Sequence, residues 1–208
     1  MKLQLETNDM EKYLQATEII DYTNPLIQET VYKLFESTLT EIDKVKKAFE
    51  FVRDEISHSW DIQGTLVTCA ASEVLTHKQG ICYAKSHLLA AILRASGIPT
   101  GFCYQRLMLF DTPEQGYVIH ALNAVYLSSL QKWIRLDARG NKPGVVAEFS
   151  VEKEKLAFSI QADKDEIDYP IVFAQPNHNT INTLKTNRNA IEMYTTKLPE
   201  FLSRCKHP

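Results

Sequence analysis

The feature that most constrains the fold of this chain is an apolar helix pattern with sharp ends, "GICYAKSHLLAAILRASGIP" at 80–99. Apolar residues recur there at three- and four-residue steps from about Tyr83 to Ser96, which is typical of a helix with a buried face. Gly97 suits a left-handed C-terminal cap, and Pro99 prevents the helix from continuing. The pattern therefore predicts a core helix with a cysteine, Cys82, at its entrance.

Helix signals also dominate the first sixty residues. The "NP" pair at 24–25 is typical of an N-cap followed by the first helical position. Thr40 and Asp43 resemble a capping box, and apolar residues recur at helical steps from there to Ile56. A shorter helix is predicted at about 71–75.

The periodicity changes beyond the core helix. Three aromatic and β-branched runs, at 100–110, 117–127 and 132–138, are separated by turn-forming segments, and this pattern predicts an antiparallel meander. In the tail, "YPIVFAQ" at 169–175 predicts a strand, and we expect a helix within 179–198.

These elements predict one α+β domain over residues 1–208. Its core would lie at about 41–142 and its C-terminal extension at 143–208, with N-terminal helices and the Cys82 helix packed on an antiparallel β-sheet. A chain of this length buries roughly 70% of the surface that its unfolded form exposes, so a sizeable core is available.

Composition narrows the classes of partner. The chain has 44% hydrophobic and 24% charged residues and a formal net charge of −3, so it lacks the basic footprint of a nucleic-acid-binding protein. No apolar run reaches the length of about 18 residues that spans a bilayer, and the N-terminus lacks the apolar stretch of a signal peptide. We therefore expect a soluble cytoplasmic protein that binds neither nucleic acid nor membranes.

The four cysteines are predicted to be free thiols, because nothing in the sequence indicates secretion. They are Cys69, Cys82, Cys103 and Cys205. No C-x-x-C is present, and the histidines do not fall near the cysteines at the spacing of a structural zinc site. We expect no bound metal.

Two interpretations are open for Cys82. Unpaired N–H groups and the helix dipole at a helix start favour a thiolate, and Gly80 would let the backbone turn tightly and leave the thiol approachable. Alternatively, Cys82 is a buried structural residue, which is common for cysteine.

His120 and Asp137 favour the first interpretation. His120 lies inside a predicted strand, and Asp137 ends the next strand. If the two strands pair through the turn at 128–131, the side chains fall within cross-strand reach of about 5 to 8 Å. A nucleophilic thiol needs a base and a group that orients the base, and a strand-end aspartate among apolar residues needs a partner.

The motifs "GICYAKSHLLAAILRASGIPTGFCY", "IHALNAVYL" and "WIRLDARG" resemble the core motifs of the transglutaminase-like superfamily of papain-type thiol enzymes. Over roughly 56–140, the chain looks like a small, bacterial-type member. The resemblance implies a papain-like transglutaminase core with Cys82 as nucleophile, His120 as base and Asp137 as orienting residue.

The chain departs from the family pattern beside these residues. Leu122 stands where tryptophan is usual, which implies an altered wall beside the site, and "DARG" replaces the usual Asp-Pro. The second oxyanion donor has no clear position, and Trp60, Gln63 and Thr68 are the candidates. Arg139 either lines the cleft or completes a turn.

The resemblance implies cysteine-dependent acyl transfer on peptide or protein amides through a thioester. Water as acceptor would give an amidase or peptidase, and an amine would give a transglutaminase; neither chemistry needs a cofactor. The approach to the nucleophile, "HKQGIC", lacks the motif of arylamine N-acetyltransferases. The alternative is a non-catalytic protein-binding scaffold of the same fold.

Overall fold

The computed structural model describes residues 1–35 and 39–203, so the predicted free thiol of Cys205 lies outside the described residues. Six α-helices lie within these ranges: Pro25–Leu34 (α1), Glu41–Glu55 (α2), Ala71–His77 (α3), Cys82–Ala95 (α4), His178–Thr186 (α5) and Ala190–Thr196 (α6). The same ranges contain eight strands: Gln4–Leu5 (β1), Ser57–His58 (β2), Gln79–Gly80 (β3), Thr100–Met108 (β4), Tyr117–Leu127 (β5), Lys132–Leu136 (β6), Ile167–Asp168 (β7) and Ile171–Val172 (β8).

The central sheet confirms the predicted meander. Its four antiparallel strands are ordered β6-β5-β4-β7. β4 and β5 pair along their whole shared length, and Asn123 of β5 lies opposite Leu136 of β6. β6 ends at Leu136, so Asp137 comes directly after the last paired residue, beside the stretch of β5 that carries His120.

α4 forms the centre of the core, as its apolar pattern predicts. Every residue from Cys82 to Arg94 is buried, and the helix packs against α1, α2, α3 and β5. Gly97 has a φ of 73°, and the Ile98 N–H donates to the carbonyl of Leu93 at 3.0 Å, which ends the helix in a left-handed cap. The α+β fold with a buried helix on an antiparallel sheet is therefore confirmed.

The predicted helix starts form as expected. The Asn24 side chain accepts the N–H of Leu26 at 2.9 Å, ahead of Pro25. Thr40 and Asp43 bond each other's backbone N–H groups at 3.2 and 3.3 Å and form a complete capping box.

The two ends of the chain differ from the sequence expectation. β1 lies within the region predicted to be helical. It pairs in parallel with β8, which is all that forms of the strand predicted at 169–175 and is only two residues long. The helix expected within 179–198 is two helices, because the Asn189 side chain caps a second helix start by accepting the N–H groups of Ile191 and Glu192. Among the described residues, none of the helices combines the length and apolar character that a bilayer crossing requires.

Candidate active site

Cys82 occupies the first position of α4, directly after the short strand β3. The N-cap residue Ile81 is extended and makes no side-chain cap hydrogen bond, so the N–H groups of the first turn are not covered by a capping side chain. Cys82 is 7% exposed and lies on the wall of a cavity. The strand–helix junction therefore fixes the sulfur at an electropositive helix end that faces open space.

Gly80 is required for packing rather than for a tight turn. The positive-φ residues of the described chain do not include it. A Cβ at this position would lie 2.9 Å from the Ala84 side chain and 3.0 Å from the Thr68 hydroxyl, closer than real side chains approach. Gly80 thus lets β3 lie against α3 and α4, and its backbone does not adopt the positive φ that would make glycine necessary for the predicted tight turn.

His120 and Asp137 meet as the strand register predicts. The His120 Nε2 lies 2.8 Å from the Asp137 Oδ2, and both residues are buried. His120 and Cys82 line the same cavity, and Cys82 is close enough to contribute to the raised pKa of the imidazole. The hydroxyl of Tyr83 donates to the carbonyl of Ile119 at 2.7 Å, which ties the start of α4 to β5 next to His120.

The Asp137 carboxylate is held by backbone donors as well as by His120. The N–H of Arg139 donates to Oδ1 at 3.2 Å and the N–H of Ala157 to Oδ2 at 3.2 Å. Burial raises the pKa of Asp137, but the charge of His120 and these hydrogen bonds outweigh it and hold the pKa below its usual 3.8. A buried carboxylate is thus kept ionised beside the imidazole.

His120 is correspondingly held as an imidazolium. Burial, the largest single influence, opposes its protonation. The charges of Asp137 and Cys82 and the hydrogen bonds to both outweigh burial and raise the pKa of His120 to about 10. The arrangement therefore places a protonated imidazole in the same cavity wall as Cys82.

The cavity of about 500 Å³ in front of Cys82 and His120 is built from both halves of the chain. Trp60 and Phe110 line one side of it. Phe158 meets the ring of His120 edge-on at a centroid distance of 5.0 Å, and Tyr194 of α6 stacks on Trp60 at 4.8 Å. The C-terminal extension, for which the sequence offered no role, thus supplies much of the wall.

Of the three candidates for a second oxyanion donor, Trp60 alone lines this cavity. The Gln63 amide donates to the carbonyl of Trp60 at 2.6 Å, and the Thr68 hydroxyl donates to the carbonyl of Gln79 at 2.9 Å. The side chains of Gln63 and Thr68 are therefore hydrogen-bonded to backbone carbonyls, and neither residue lines the cavity.

Leu122 does not form the expected wall of the site. It packs in a second core cluster with Tyr13 and Cys103, away from the lining of the cavity. Arg139 does line the cavity, and its guanidinium forms a bidentate ion pair with Asp61, whose pKa it helps to lower to about 2 against the opposing effect of burial.

Two other buried histidines are placed differently from His120. The His87 Nδ1 lies 2.8 Å from the carbonyl of Cys69, and burial lowers the pKa of His87 to about 4. Neither ring nitrogen of His58 has a hydrogen-bond partner among the described residues, and burial followed by the charge of Arg139 holds its pKa well below 6.5. Within the described chain, no group of three His, Cys, Asp or Glu side chains is arranged to hold a metal ion.

Comparison with known families and structures agrees with this fold. A family model described as "Transglutaminase-like superfamily" matches residues 28–138, which is more than half of the chain. The chain therefore belongs to the transglutaminase-like superfamily. None of the curated proteins matches it. At the level of the superfamily, membership supports a cysteine-dependent enzyme.

Two solved structures are similar to parts of this chain. One, named "Putative Cysteine Protease from Cytophaga hutchinsonii", has a TM-score of 0.51 and 21% identity, over 64% of this chain and 43% of that chain. Another, named as a TGase, has a TM-score of 0.37 and 19% identity, over 66% of this chain and 36% of that chain. The chain thus spans less than half the length of either structure.

Several site residues that the sequence analysis missed lie in the extension. They are the backbone N–H of Ala157 and the rings of Phe158 and Tyr194. Each is far from its partner along the chain and lies in a segment without a long periodic element, so the sequence carries no local signal that places it beside His120 or Trp60.

Proposed function

We propose that the protein is an enzyme of cysteine-dependent acyl transfer, with peptide or protein amides as substrates. The observation that carries this proposal is the convergence of a helix-start thiol, Cys82, with the buried His120–Asp137 pair on the wall of an open cavity. Nucleophile, base and orienting residue then have the roles that thiol enzymes require.

The first half of the reaction forms a thioester. The Cys82 sulfur attacks the amide carbonyl carbon and the C–N bond breaks as the imidazolium of His120 gives its proton to the departing amine. The free N–H of Cys82 at the helix start is the donor that we assign to the oxyanion of the tetrahedral intermediate. Asp137 keeps the ring orientation and the charge of His120 throughout.

The second half of the reaction transfers the acyl group to an acceptor. Neutral His120 takes a proton from water or from a primary amine, the acceptor attacks the thioester carbonyl, and the Cys82 thiolate leaves. We place hydrolysis first, since the similar structure from Cytophaga hutchinsonii is named a cysteine protease. Amine transfer uses the same residues.

A non-catalytic scaffold is the second candidate, and the low exposure of the thiol, 7%, is the observation in its favour. A scaffold would bind protein partners through the cleft without turnover. However, Cys82 and His120 both line the cavity, which supports the enzyme proposal.

The test is trapping of the acyl-enzyme. The protein is incubated with a defined peptide mixture, with and without a labelled primary amine, quenched in acid, and digested for mass spectrometry. We expect an acyl adduct on the peptide that contains Cys82, together with cleaved, deamidated or amine-tagged products. The ratio of these products separates hydrolysis from amine transfer.

Cys82→Ala should remove both adduct and products, and Cys69→Ala is the matched control because Cys69 is a free thiol outside the cavity. Binding of peptides by the wild type with no adduct and no product would overturn the enzyme proposal in favour of the scaffold.

A further inference from the structure

Three aromatic rings meet at one rim of the cavity that holds Cys82. Trp60 and Tyr194 are stacked, with centroids 4.8 Å apart and planes 14° apart. Phe110 lies at 5.3 Å from Trp60 and 6.3 Å from Tyr194, tilted against both. All three line the same cavity as Cys82 and His120. We call Trp60, Phe110 and Tyr194 the aromatic rim.

Phe110 is held in this position at a conformational cost. It is 44% exposed, which is unusual for a phenylalanine that packs on other rings. Its φ is 55° and that of the next residue, Asp111, is 58°, so two successive residues with side chains occupy the left-handed region. A strained backbone that presents an exposed ring to a cavity is typical of a functional constraint.

The charged groups of the cavity are largely engaged within the protein. Arg139 and Lys142 both pair with Asp61. The carboxylate of Glu166 accepts the N–H groups of Met108 and Gln161 at 3.0 and 2.8 Å. The aromatic rim and the side chains of Leu107, Val118, Phe158 and Leu198 form the apolar part of the lining, beside polar residues that include Asp111 and Ser159.

We propose that the aromatic rim is the substrate-side specificity subsite, which binds a bulky apolar side chain, aromatic above all, next to the amide that Cys82 attacks. Ring faces and edges favour an aromatic guest over an aliphatic one of equal size. A cavity of about 500 Å³ has room for such a side chain together with the adjoining peptide. This proposal rests on the proposed function, and Phe110 is its specificity-determining residue.

The test compares two alkylating probes of the same warhead on the full-length protein, iodoacetamide and N-benzyliodoacetamide. Labelling of Cys82 is followed by mass spectrometry, and the ratio of the benzyl rate to the iodoacetamide rate is taken within each variant. This ratio cancels any general change in thiol reactivity. We expect a ratio well above that of a free cysteine peptide in the wild type.

Phe110→Ala should lower the ratio roughly threefold to tenfold, the size of an aromatic contact, whereas Phe110→Tyr should retain it. Tyr32→Ala removes an exposed aromatic residue far from the cavity lining and should leave the ratio unchanged. Rapid Cys82 labelling with a ratio that Phe110→Ala does not lower would overturn the subsite alone. Labelling of Cys82 by iodoacetamide no faster than that of Cys69 would overturn the proposed function and the subsite with it.

Discussion

The segment matched by the family model, 28–138, and the segment that follows it to residue 203 contribute to the candidate site in different ways. The first carries Cys82, His120 and Asp137 on one long helix, one long strand and the end of the next strand. The second contains no strand longer than two residues among its described positions, yet it supplies the Ala157 N–H to Asp137 and much of the cavity wall.

The difference shows that the positions of Cys82, His120 and Asp137 and the positions of the cavity-wall residues depend on different kinds of interaction. Periodic helices and strands fix the positions of the reactive groups, because helix burial and strand register leave few alternatives. The extension is held to that core by short strand pairings, by buried apolar side chains such as Phe173 and Met193, and by individual polar contacts. Arg135 of β6 pairs with Glu154 and Asp168, and the Tyr104 hydroxyl accepts the N–H of Asn177 at 2.7 Å.

The largest effect is expected from the matched segment. His120→Ala removes the base and should lower turnover by roughly 10⁴-fold, near the upper end for a general acid–base. Steady-state rates on the best peptide found by acyl-enzyme trapping measure it. His77→Ala, at the exposed end of α3, is the control and should retain the wild-type rate. Equal rates for the two variants would break the assignment of His120 as base.

Asp137→Asn should have the next largest effect, a loss of turnover of roughly 10²-fold. His120 is still present, but it loses the carboxylate that orients its ring and stabilises its protonated form. The pKa of His120 should fall from about 10, since Asp137 is a main cause of its elevation. A pH–rate profile and imidazole NMR titration measure both quantities. Asp163→Asn, an exposed acid of the extension, should change neither.

The ion pair of His120 and Asp137 also predicts that the stability of the protein depends on pH. The folded pKa of His120, about 10, lies above its ordinary value of 6.5, so the contribution of its protonation to folding is complete below pH 6.5 and is lost as pH rises through 10. The difference in the free energy of unfolding between wild type and His120→Gln should therefore narrow from pH 6 to pH 10. Urea titrations at both pH values measure it, and a constant difference would contradict the ion pair.

Phe158→Ala tests the extension directly. Loss of the ring that meets His120 edge-on at 5.0 Å should reduce turnover roughly threefold to tenfold. Phe149→Ala is a matched control, since Phe149 is an aromatic residue of the same segment that packs on Phe49 at 6.4 Å. If both variants lower the rate equally, the extension acts through general stability and not through contact with His120.

The smallest effect is expected from helix caps. Asn24 caps α1 and Asn189 caps α6 through the same type of side-chain bond, each at 2.9 Å. Either change to alanine should cost about 1 kcal/mol of stability. Asn189→Ala alone should also lower turnover, by less than about threefold, because α6 carries Tyr194 to the cavity. Thermal unfolding and initial rates measure the two effects, and an equal loss of turnover in Asn24→Ala would contradict this link.

The positions of Cys82, His120 and Asp137 agree with the sequence prediction for physical reasons that can be stated. The clear helix start in the sequence places Cys82 at the first position of α4. The four-residue turn between β5 and β6 sets a register in which His120 and Asp137 are diagonal cross-strand neighbours. Their catalytic roles stay a prediction. The role of Gly80 was misjudged, because its crowding by Ala84 depends on how β3 packs on α4.

The walls of the site were beyond prediction from the sequence. Leu122 was expected beside the cleft, but it packs in the second core cluster with Tyr13, a contact between residues far apart in the chain. Phe158 lies in a loop and Tyr194 in the short helix α6, and both reach the cavity through contacts far apart in the chain that no local periodicity indicates.

The most direct test of the central claim compares native cysteines in one experiment. Iodoacetamide labelling rates of Cys82, Cys69 and Cys103 are measured by mass spectrometry at a series of pH values. Burial raises the pKa of Cys69 to about 11 and that of Cys103 to about 12, so both should stay unreactive near neutral pH. The account predicts fast, selective labelling of Cys82 at pH 6 to 7. Labelling of Cys82 no faster than Cys69, or only after unfolding, would contradict an activated thiol paired with His120.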